Sequence, residues 1–129
     1  EVEELFTVMD TFNQTDYFDY NMNSIPSQGT SSFRMKINKN NDGIILRRYV
    51  DCNKNNQKAE VYINGEYVGI WYNSFELPYD YGVSVYQSDF IIPAEFTRGK
   101  MSVKVEIKVS ADAAVWTEAG YEVYSIGVK

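Results

Sequence analysis

The residues of this chain best suited to chemistry are aromatic side chains with polar neighbours, found around Trp71 and again around Trp116. A sugar ring stacks its apolar C–H faces on aromatic rings, while its hydroxyl groups bind amides, carboxylates and guanidinium groups. We therefore predict that at least one ring belongs to a ligand surface. The alternative is that these rings fill the ends of a β-sandwich. The predicted ligand-binding residues are Trp71, Tyr72, Asn73, Tyr79, Asp80, Arg47, Trp116 and Glu118.

Catalytic patterns are scarce. The chain has no histidine, which excludes Ser-His-Asp and Cys-His arrangements and the zinc sites that use histidine ligands. Cys52 is the single cysteine; no internal disulfide is possible, and without a basic partner we interpret it as an unreactive thiol. Glycoside hydrolysis needs two carboxylates across a sugar, whereas most carboxylates of this chain lie in predicted turns or on the solvated faces of predicted strands. We predict that the chain is not an enzyme and assign no catalytic residue.

A metal site is a second possibility, raised by the segment Asn38-Lys39-Asn40-Asn41-Asp42-Gly43, which is similar to the first half of an EF-hand loop. The ligand at its twelfth position would be Tyr49 instead of Glu, and no helices flank it. We therefore predict a hairpin turn here and no cofactor. The alternative is a structural calcium ion elsewhere, held by carboxylates and carbonyls of the acidic N-terminal segment.

The charge balance limits the partners. Eighteen acidic and 12 basic residues give a net charge of −6. Nucleic-acid affinity comes mainly from Lys and Arg contacts to phosphates, and no basic patch stands out in the sequence. We predict no nucleic-acid partner. A membrane helix needs about 20 apolar residues in a row, and since no run approaches that length we predict no membrane span.

The elements that must position these residues are strands. Met101–Val109 alternates apolar and polar residues with period two, as in an antiparallel sheet with one solvated face. Asn64-Gly65 predicts a hairpin between residues 59–63 and 66–71, because a type I′ turn needs positive φ at both central residues. Pro93–Arg98 predicts one helical turn that ends at Gly99. The other predicted strands are Glu4–Met9, Ser32–Ile37, Ile44–Val50, Val83–Tyr86, Phe90–Ile92 and Tyr121–Val128.

Arg47 and Arg48 are adjacent on a predicted strand, so their side chains lie on opposite faces. The arginine on the buried face needs a partner, for which Asp51 and Asp89 are candidates. Such a pair is either purely structural, or it presents guanidinium donors to sugar hydroxyls or to a uronate carboxylate.

These elements predict an all-β fold, an antiparallel β-sandwich of jelly-roll or galactose-binding-like type with at most one short helical turn. Residues 10–30 are polar, aromatic and irregular, and we interpret them as a long loop with a short strand at most. We expect a single domain over residues 1–129. Because the chain begins at Glu1 without a methionine or a signal peptide, we interpret it as a mature product or a module of a larger protein.

Three segments carry a resemblance to a known family: G-I-I-L-R-R-Y-V-D (43–51), A-E-V-Y-I-N-G-E-Y-V-G-I-W-Y (59–72) and S-D-F-I-I-P-A-E-F-T-R-G-K (88–100). They resemble the jelly-roll sandwich portions of bacterial glycoside hydrolases related to difructose-anhydride synthases, and more widely galactose-binding-like carbohydrate modules. The resemblance implies a polysaccharide-processing context and a secreted, cell-surface or periplasmic location in a bacterium. The family's catalytic carboxylates would lie on another sandwich or subunit.

Residues and resemblance together predict a non-catalytic carbohydrate-binding accessory module of a carbohydrate-active protein. Its predicted partners are an oligo- or polysaccharide and the neighbouring domains of the parent protein. One alternative is a structural or assembly domain, whose hairpin and aromatics pack on a partner domain or a second copy. Another is a small glycoside hydrolase that is active only as an oligomer.

Overall fold

The computed structural model describes residues 2–4, 22–75 and 85–127, and its strands pair in antiparallel sheets. The strands are β1 Val2–Glu4, β2 Asn23–Pro26, β3 Thr30–Lys36, β4 Ile44–Asp51, β5 Gln57–Ile63, β6 Glu66–Asn73, β7 Val85–Ile92, β8 Ser102–Val109, β9 Val115–Glu118 and β10 Gly120–Ile126. One four-stranded sheet has the order β1-β10-β4-β7, a second has the order β3-β8-β5-β6, and β2 pairs with β9. This architecture confirms the predicted all-β fold.

The core lies between the two four-stranded sheets, because β3 and β8 of one sheet and β10 of the other alternate buried residues with more exposed ones. In β8 the buried face is the apolar set of the predicted strand, from Val103 to Val109. Phe33 of β3 packs on Tyr121 of β10 with ring centroids 4.5 Å apart, which joins the two sheets. The short strand β9 contacts β4 of one sheet and β5 of the other.

The predicted hairpin is present as β5–β6. Asn64 and Gly65 have φ of 51° and 85°, the positive values that a type I′ turn requires. Ile63 pairs with Glu66 across the turn, and a β-bulge follows between Val61 and Tyr62. The bulge shifts the register by one residue, which decides which side chains of β6 face outward.

The segment from Asn38 to Gly43 is not a hairpin turn, so that prediction is wrong. It joins β3 to β4, which belong to different sheets, and is a crossover between the layers. The buried Asn41 side chain holds it by donating to the carbonyls of Asn38 and Thr97 and by accepting from the Gly43 amide. Gly43 has φ of 107°, and a Cβ there would lie 2.8 Å from the Ile92 carbonyl oxygen.

Other boundaries also differ from the sequence predictions. The two strands predicted within residues 83–92 form the single strand β7, which begins at Val85. Residues 83 and 84, residues 5–9 and Val128, which belong to predicted strands, lie outside the described residues. Trp116 and Glu118 lie in β9, a strand that is not among the predicted ones. The predicted helical turn is confirmed as a 3₁₀ turn at Ala94–Phe96, after Pro93. Over the described ranges, no helix is long and apolar enough to cross a membrane.

Candidate functional site

The pleat of β6 separates two neighbouring aromatic residues onto opposite faces of the sheet. Trp71 lies opposite the buried Ala59 and is 3% exposed, whereas Tyr72 lies opposite Lys58 and is 52% exposed. Side chains directly opposite each other share a face. Of these two predicted ligand-binding rings, only Tyr72 therefore faces solvent.

Tyr72 lines a surface groove of about 310 Å³ together with Ile70, Lys58, Asn56 and Asp112. Lys58 Nζ lies 3.1 Å from Asp112 Oδ2, and Asn56 Nδ2 donates to the Asp112 carbonyl at 2.9 Å. These contacts tie the turn before β5 to the turn after β8. The groove, here called the Tyr72 groove, combines one exposed ring, one aliphatic side chain and a rim of hydrogen-bonding groups.

The same outer face continues along the hairpin to a pair of tyrosines. Tyr62 and Tyr67 lie opposite each other with their rings edge to face at 5.6 Å. Lys108 Nζ lies over the Tyr62 ring, 4.3 Å from its centroid. The hydrogen bond from the Tyr62 hydroxyl to Glu60 raises the pKa of Tyr62, since the nearby carboxylate disfavours a phenolate. Tyr67, which is 50% exposed, is the solvent-facing member of the pair.

Trp71 and Trp116 belong to the core, so the prediction that either ring stacks on a sugar is wrong. The Trp71 ring stacks on Phe90 at 5.2 Å and meets Trp116 edge-on at 5.6 Å. Their indole N–H groups donate internally, from Trp71 to Ser88 Oγ and from Trp116 to the Tyr121 hydroxyl. Trp71 is buried because it lies opposite Ala59 on the face of the sheet that meets the core, and the small Ala59 side chain leaves room for the Trp71 ring.

Arg48 is the buried arginine of the pair and is fully inaccessible. Its guanidinium lies 3.4 Å above the centroid of the Trp116 ring and donates to Gln57 Oε1, Thr117 O and Asn73 Oδ1 at 3.0, 2.8 and 2.7 Å. Burial lowers the pKa of Arg48 to about 10, so the group stays charged at neutral pH. The Asn73 acceptor is therefore engaged inside the protein, where it also receives the Ser88 hydroxyl.

Arg47 lies on the other face, away from the Tyr72 groove. It makes two hydrogen bonds to Asp89, at 2.8 and 3.1 Å, and one to the Tyr124 hydroxyl. These bonds raise the pKa of Arg47, chiefly through Asp89. Asp89, one of the two predicted partners of the buried arginine, thus pairs with the partly exposed one. The structure does not bring Arg47 and Tyr72 together, because they belong to different sheets.

Glu118 is 2% exposed and serves the interior instead of a ligand surface. It accepts hydrogen bonds from Ser31 Oγ at 2.7 Å and from the Tyr121 hydroxyl at 2.5 Å. Burial raises the pKa of Glu118 above its ordinary value, and these bonds offset the shift only in part. Tyr79 and Asp80, the remaining predicted site residues, lie outside the described residues.

The raised pKa of Glu118 predicts a pH dependence of stability. Above the ordinary value of 4.5 the unfolded chain releases a proton that the folded protein still holds, so the free energy of unfolding falls as pH rises towards the folded-state pKa. Glu118→Gln removes this titration. Urea unfolding from about pH 4 to about pH 8 is expected to show a wild-type advantage over the variant that declines with pH. A constant difference would contradict the prediction.

Sequence reasoning missed the other groove residues, Asn56, Lys58, Ile70 and Asp112. One signal was present, since period-two alternation from Lys58 to Tyr62 places the polar residues of β5 on the solvated face. Which turns meet above that face depends on strand pairing. Over residues 2–4, 22–75 and 85–127, no group of three or more His, Cys, Asp or Glu side chains could hold a metal ion.

Comparison with known proteins shows similarity in fold only. No protein-family model matches the chain, and no curated protein matches it in sequence. A β-porphyranase of glycoside hydrolase family 86 from the human gut bacterium Bacteroides plebeius is similar over 96% of this chain, at a TM-score of 0.65 and 13% identity. A second family 86 protein, solved with neoagarooctaose, is similar over 95%, at a TM-score of 0.57 and 12% identity.

The chain spans about a fifth of the length of these proteins, 20% of the first and 19% of the second. It is also similar to the CBM36-1 domain of a multidomain xylanase from the hindgut metagenome of Trinervitermes trinervoides, at a TM-score of 0.50 and 16% identity. That match covers 82% of this chain and 77% of the domain. A sandwich of this kind thus occurs within larger carbohydrate-active proteins. The similarity to difructose-anhydride synthases stays a prediction.

Proposed function

We propose that the chain is a non-catalytic carbohydrate-binding accessory module of a secreted bacterial carbohydrate-active protein, and that the Tyr72 groove binds the sugar. The observation that carries the proposal is the exposed Tyr72 ring beside Ile70, with a charged and amide rim. The fold supports it, since similar sandwiches occur in two family 86 proteins and in a xylanase.

Binding would use two kinds of contact. The apolar C–H face of a sugar ring packs on Tyr72 and Ile70, which removes both apolar surfaces from water. The sugar hydroxyls exchange hydrogen bonds with Lys58, Asp112 and Asn56, which already hold one another in place. The groove is shallow and open, and ordering a flexible sugar costs entropy, so a weak affinity is expected.

Calorimetric titration of the chain with a panel of oligosaccharides tests the proposal. Tyr72→Ala is expected to weaken binding at least about tenfold, because a ring-stacking contact contributes on the order of 1–2 kcal/mol. Tyr86→Ala is the matched control, since it removes a tyrosine that is 59% exposed but lies on β7 of the other sheet. Its affinity should stay within about twofold of wild type.

Two outcomes would overturn the assignment. No saccharide bound up to about millimolar concentration, the range of the weakest specific complexes, would remove the carbohydrate-binding function. If wild type and Tyr72→Ala bind a sugar with equal affinity, the sugar does not bind in the Tyr72 groove.

A structural module is the second candidate, favoured by exposed apolar side chains outside the groove. Ile91, which is 66% exposed, lies opposite Ile45 on the outer face of β4 and β7, and Met101, which is 73% exposed, precedes β8. Exposed apolar surface often marks a protein interface. A concentration-dependent dimer in sedimentation velocity that Ile91→Asp abolishes would favour this role.

A further inference from the structure

The outer face of the β3-β8-β5-β6 sheet carries a cationic cluster that is not visible in the sequence. Arg34 and Lys36 of β3 alternate with buried Phe33 and Met35, so they face outward, as Lys104 does on β8. These cations come from segments about seventy residues apart and meet only through strand pairing. They lie on the same face as the Tyr72 groove, although the whole chain is acidic, with a net charge of −6.

The pairing within this cluster is unfavourable for the protein alone. Arg34 and Lys104 are directly opposite each other in the antiparallel β3–β8 register. Like charges at such positions repel each other and destabilise the sheet. None of the three ion pairs in the described part of the chain includes a cation of this cluster. One carboxylate, Glu106, lies on the same face, two residues from Lys104 and diagonal to Arg34, so it offsets only part of the repulsion among the three cations. Unfavourable local pairings of this kind occur at functional sites.

The cluster adjoins the aromatic strip of the hairpin. Tyr62 lies opposite Glu106, two residues from Lys104 along β8, so Tyr62 and Lys104 are diagonal neighbours, while the two cations of β3 lie one strand further away. Lys58, which lies opposite Tyr72, and Tyr62 are four residues apart on β5. The distance between them along the strand is therefore about 13 Å, at about 3.3 Å per residue. One end of the face thus offers the Tyr72 groove, the middle offers the exposed Tyr67 ring, and the far corner, on β8 and β3, offers cations that outnumber the neighbouring carboxylate.

We propose that the saccharide held in the Tyr72 groove belongs to an anionic polysaccharide that follows the β5–β6 hairpin towards Tyr62 and then crosses β8 to β3, where it places its sulfate or carboxylate groups on Lys104, Arg34 and Lys36. This inference rests on the proposed carbohydrate-binding function. A polysaccharide fits better than nucleic acid, because duplex DNA carries one charge per about 1.7 Å. The groove end of the face bears carboxylates such as Glu60 and Asp112, which would repel so dense a charge.

The test is affinity electrophoresis and calorimetry of the chain with a sulfated galactan, a polyuronate, a neutral galactan and duplex DNA. The sulfated galactan or the polyuronate is expected to bind at least about tenfold more tightly than the neutral galactan, since each exposed ion pair adds modestly. Raising salt from about 0.1 M to about 1 M shortens the screening length from about 10 Å to about 3 Å and should remove that preference.

The deciding variant is Arg34→Ser/Lys104→Ser. It should lose the preference for the anionic polymer while keeping the affinity for the neutral one, and it should unfold at no lower urea concentration than wild type, because a like-charge pair is removed. The control is Lys39→Ser/Lys54→Ser, which removes the same charge from exposed turn residues elsewhere and should keep the preference.

Each other result has a defined meaning. Equal binding of neutral and anionic galactans overturns the inference and leaves the proposed function standing. The absence of binding to every saccharide overturns both. DNA bound as tightly as the anionic polysaccharides, or a preference kept by Arg34→Ser/Lys104→Ser, removes the cluster as a polysaccharide site.

Discussion

Arg48→Ala is expected to lower the free energy of unfolding by about 3–5 kcal/mol, because three hydrogen bonds to a buried charged group are lost, each contributing about 1.5–3 kcal/mol at most. The substitution removes a charged donor from three buried or partly buried acceptors, on Gln57, Thr117 and Asn73. Gln57 Oε1 keeps the donors of Thr117 and Asn73 Oδ1 keeps the Ser88 hydroxyl, so the loss comes from the charge-assisted hydrogen bonds themselves. The Trp116 ring also loses the group packed on its face at 3.4 Å. Urea unfolding followed by tryptophan fluorescence measures the loss.

Arg47→Ala is the matched control, since the same residue type stands one position earlier with its side chain 28% exposed. Its pair with Asp89 faces solvent, so the expected loss is below about 1 kcal/mol. Arg48→Met separates packing from polarity, because methionine fills much of the volume but satisfies none of the three acceptors. It is expected to remain clearly destabilised. Equal losses for Arg47→Ala and Arg48→Ala would show that burial of the guanidinium does not matter.

Trp116→Ala is expected to lower the free energy of unfolding by about 3–5 kcal/mol, as for other fully buried large side chains. The ring is 0% exposed and lies between Arg48 on its face and the edge contact with Trp71. Its removal leaves a cavity where both sheets and β9 meet. Trp116→Phe keeps most of the volume but loses the hydrogen bond to Tyr121, so a smaller loss is expected. Thermal and urea unfolding monitored by circular dichroism provide the measurement.

Tyr72→Ala supplies the contrast for this prediction. Tyr72 is exposed, so its removal should change the free energy of unfolding by less than about 0.5 kcal/mol, while it weakens sugar binding. Trp116→Phe should retain sugar affinity if the fold is intact. A Trp116→Phe protein that is stable but does not bind sugar would indicate that Trp116 contacts the sugar, which would contradict its assignment to the core.

The strand pattern shows how far sequence reasoning reaches. Period-two alternation predicts β8 and its buried face from Val103 to Val109, because burial of one face of a sheet selects that alternation directly. Met101, also predicted on that face, precedes the strand and is 73% exposed. Asn64-Gly65 predicted the hairpin because its backbone requirement is local. The hairpin turn predicted for the Asn38–Gly43 segment is wrong, since turn-forming residues show that the chain turns but do not show whether the next strand joins the same sheet.

The candidate site was predicted in part only. The predicted set contains the exposed Tyr72, but it also contains Trp71, Trp116 and Glu118, all of which are buried. Adjacent strand residues must face opposite sides, so alternation alone separates Trp71 from Tyr72. It does not reveal which face meets the other sheet. Alternation likewise places Arg47 and Arg48 on opposite faces without showing which of them is buried. The structure shows that Arg48 is the buried one, because it contacts Gln57 and Trp116.

The sequence by itself determined the all-β class, the β5–β6 hairpin and the 3₁₀ turn after Pro93, because these depend on local periodicity and backbone preference. The tertiary structure alone decided the surface chemistry. It brought Asp112 to Lys58 above Tyr72, and it placed Arg34 opposite Lys104. Such meetings depend on the register between strands that are distant in sequence. That register is set by how the buried faces of the two sheets pack together, and no local pattern records it.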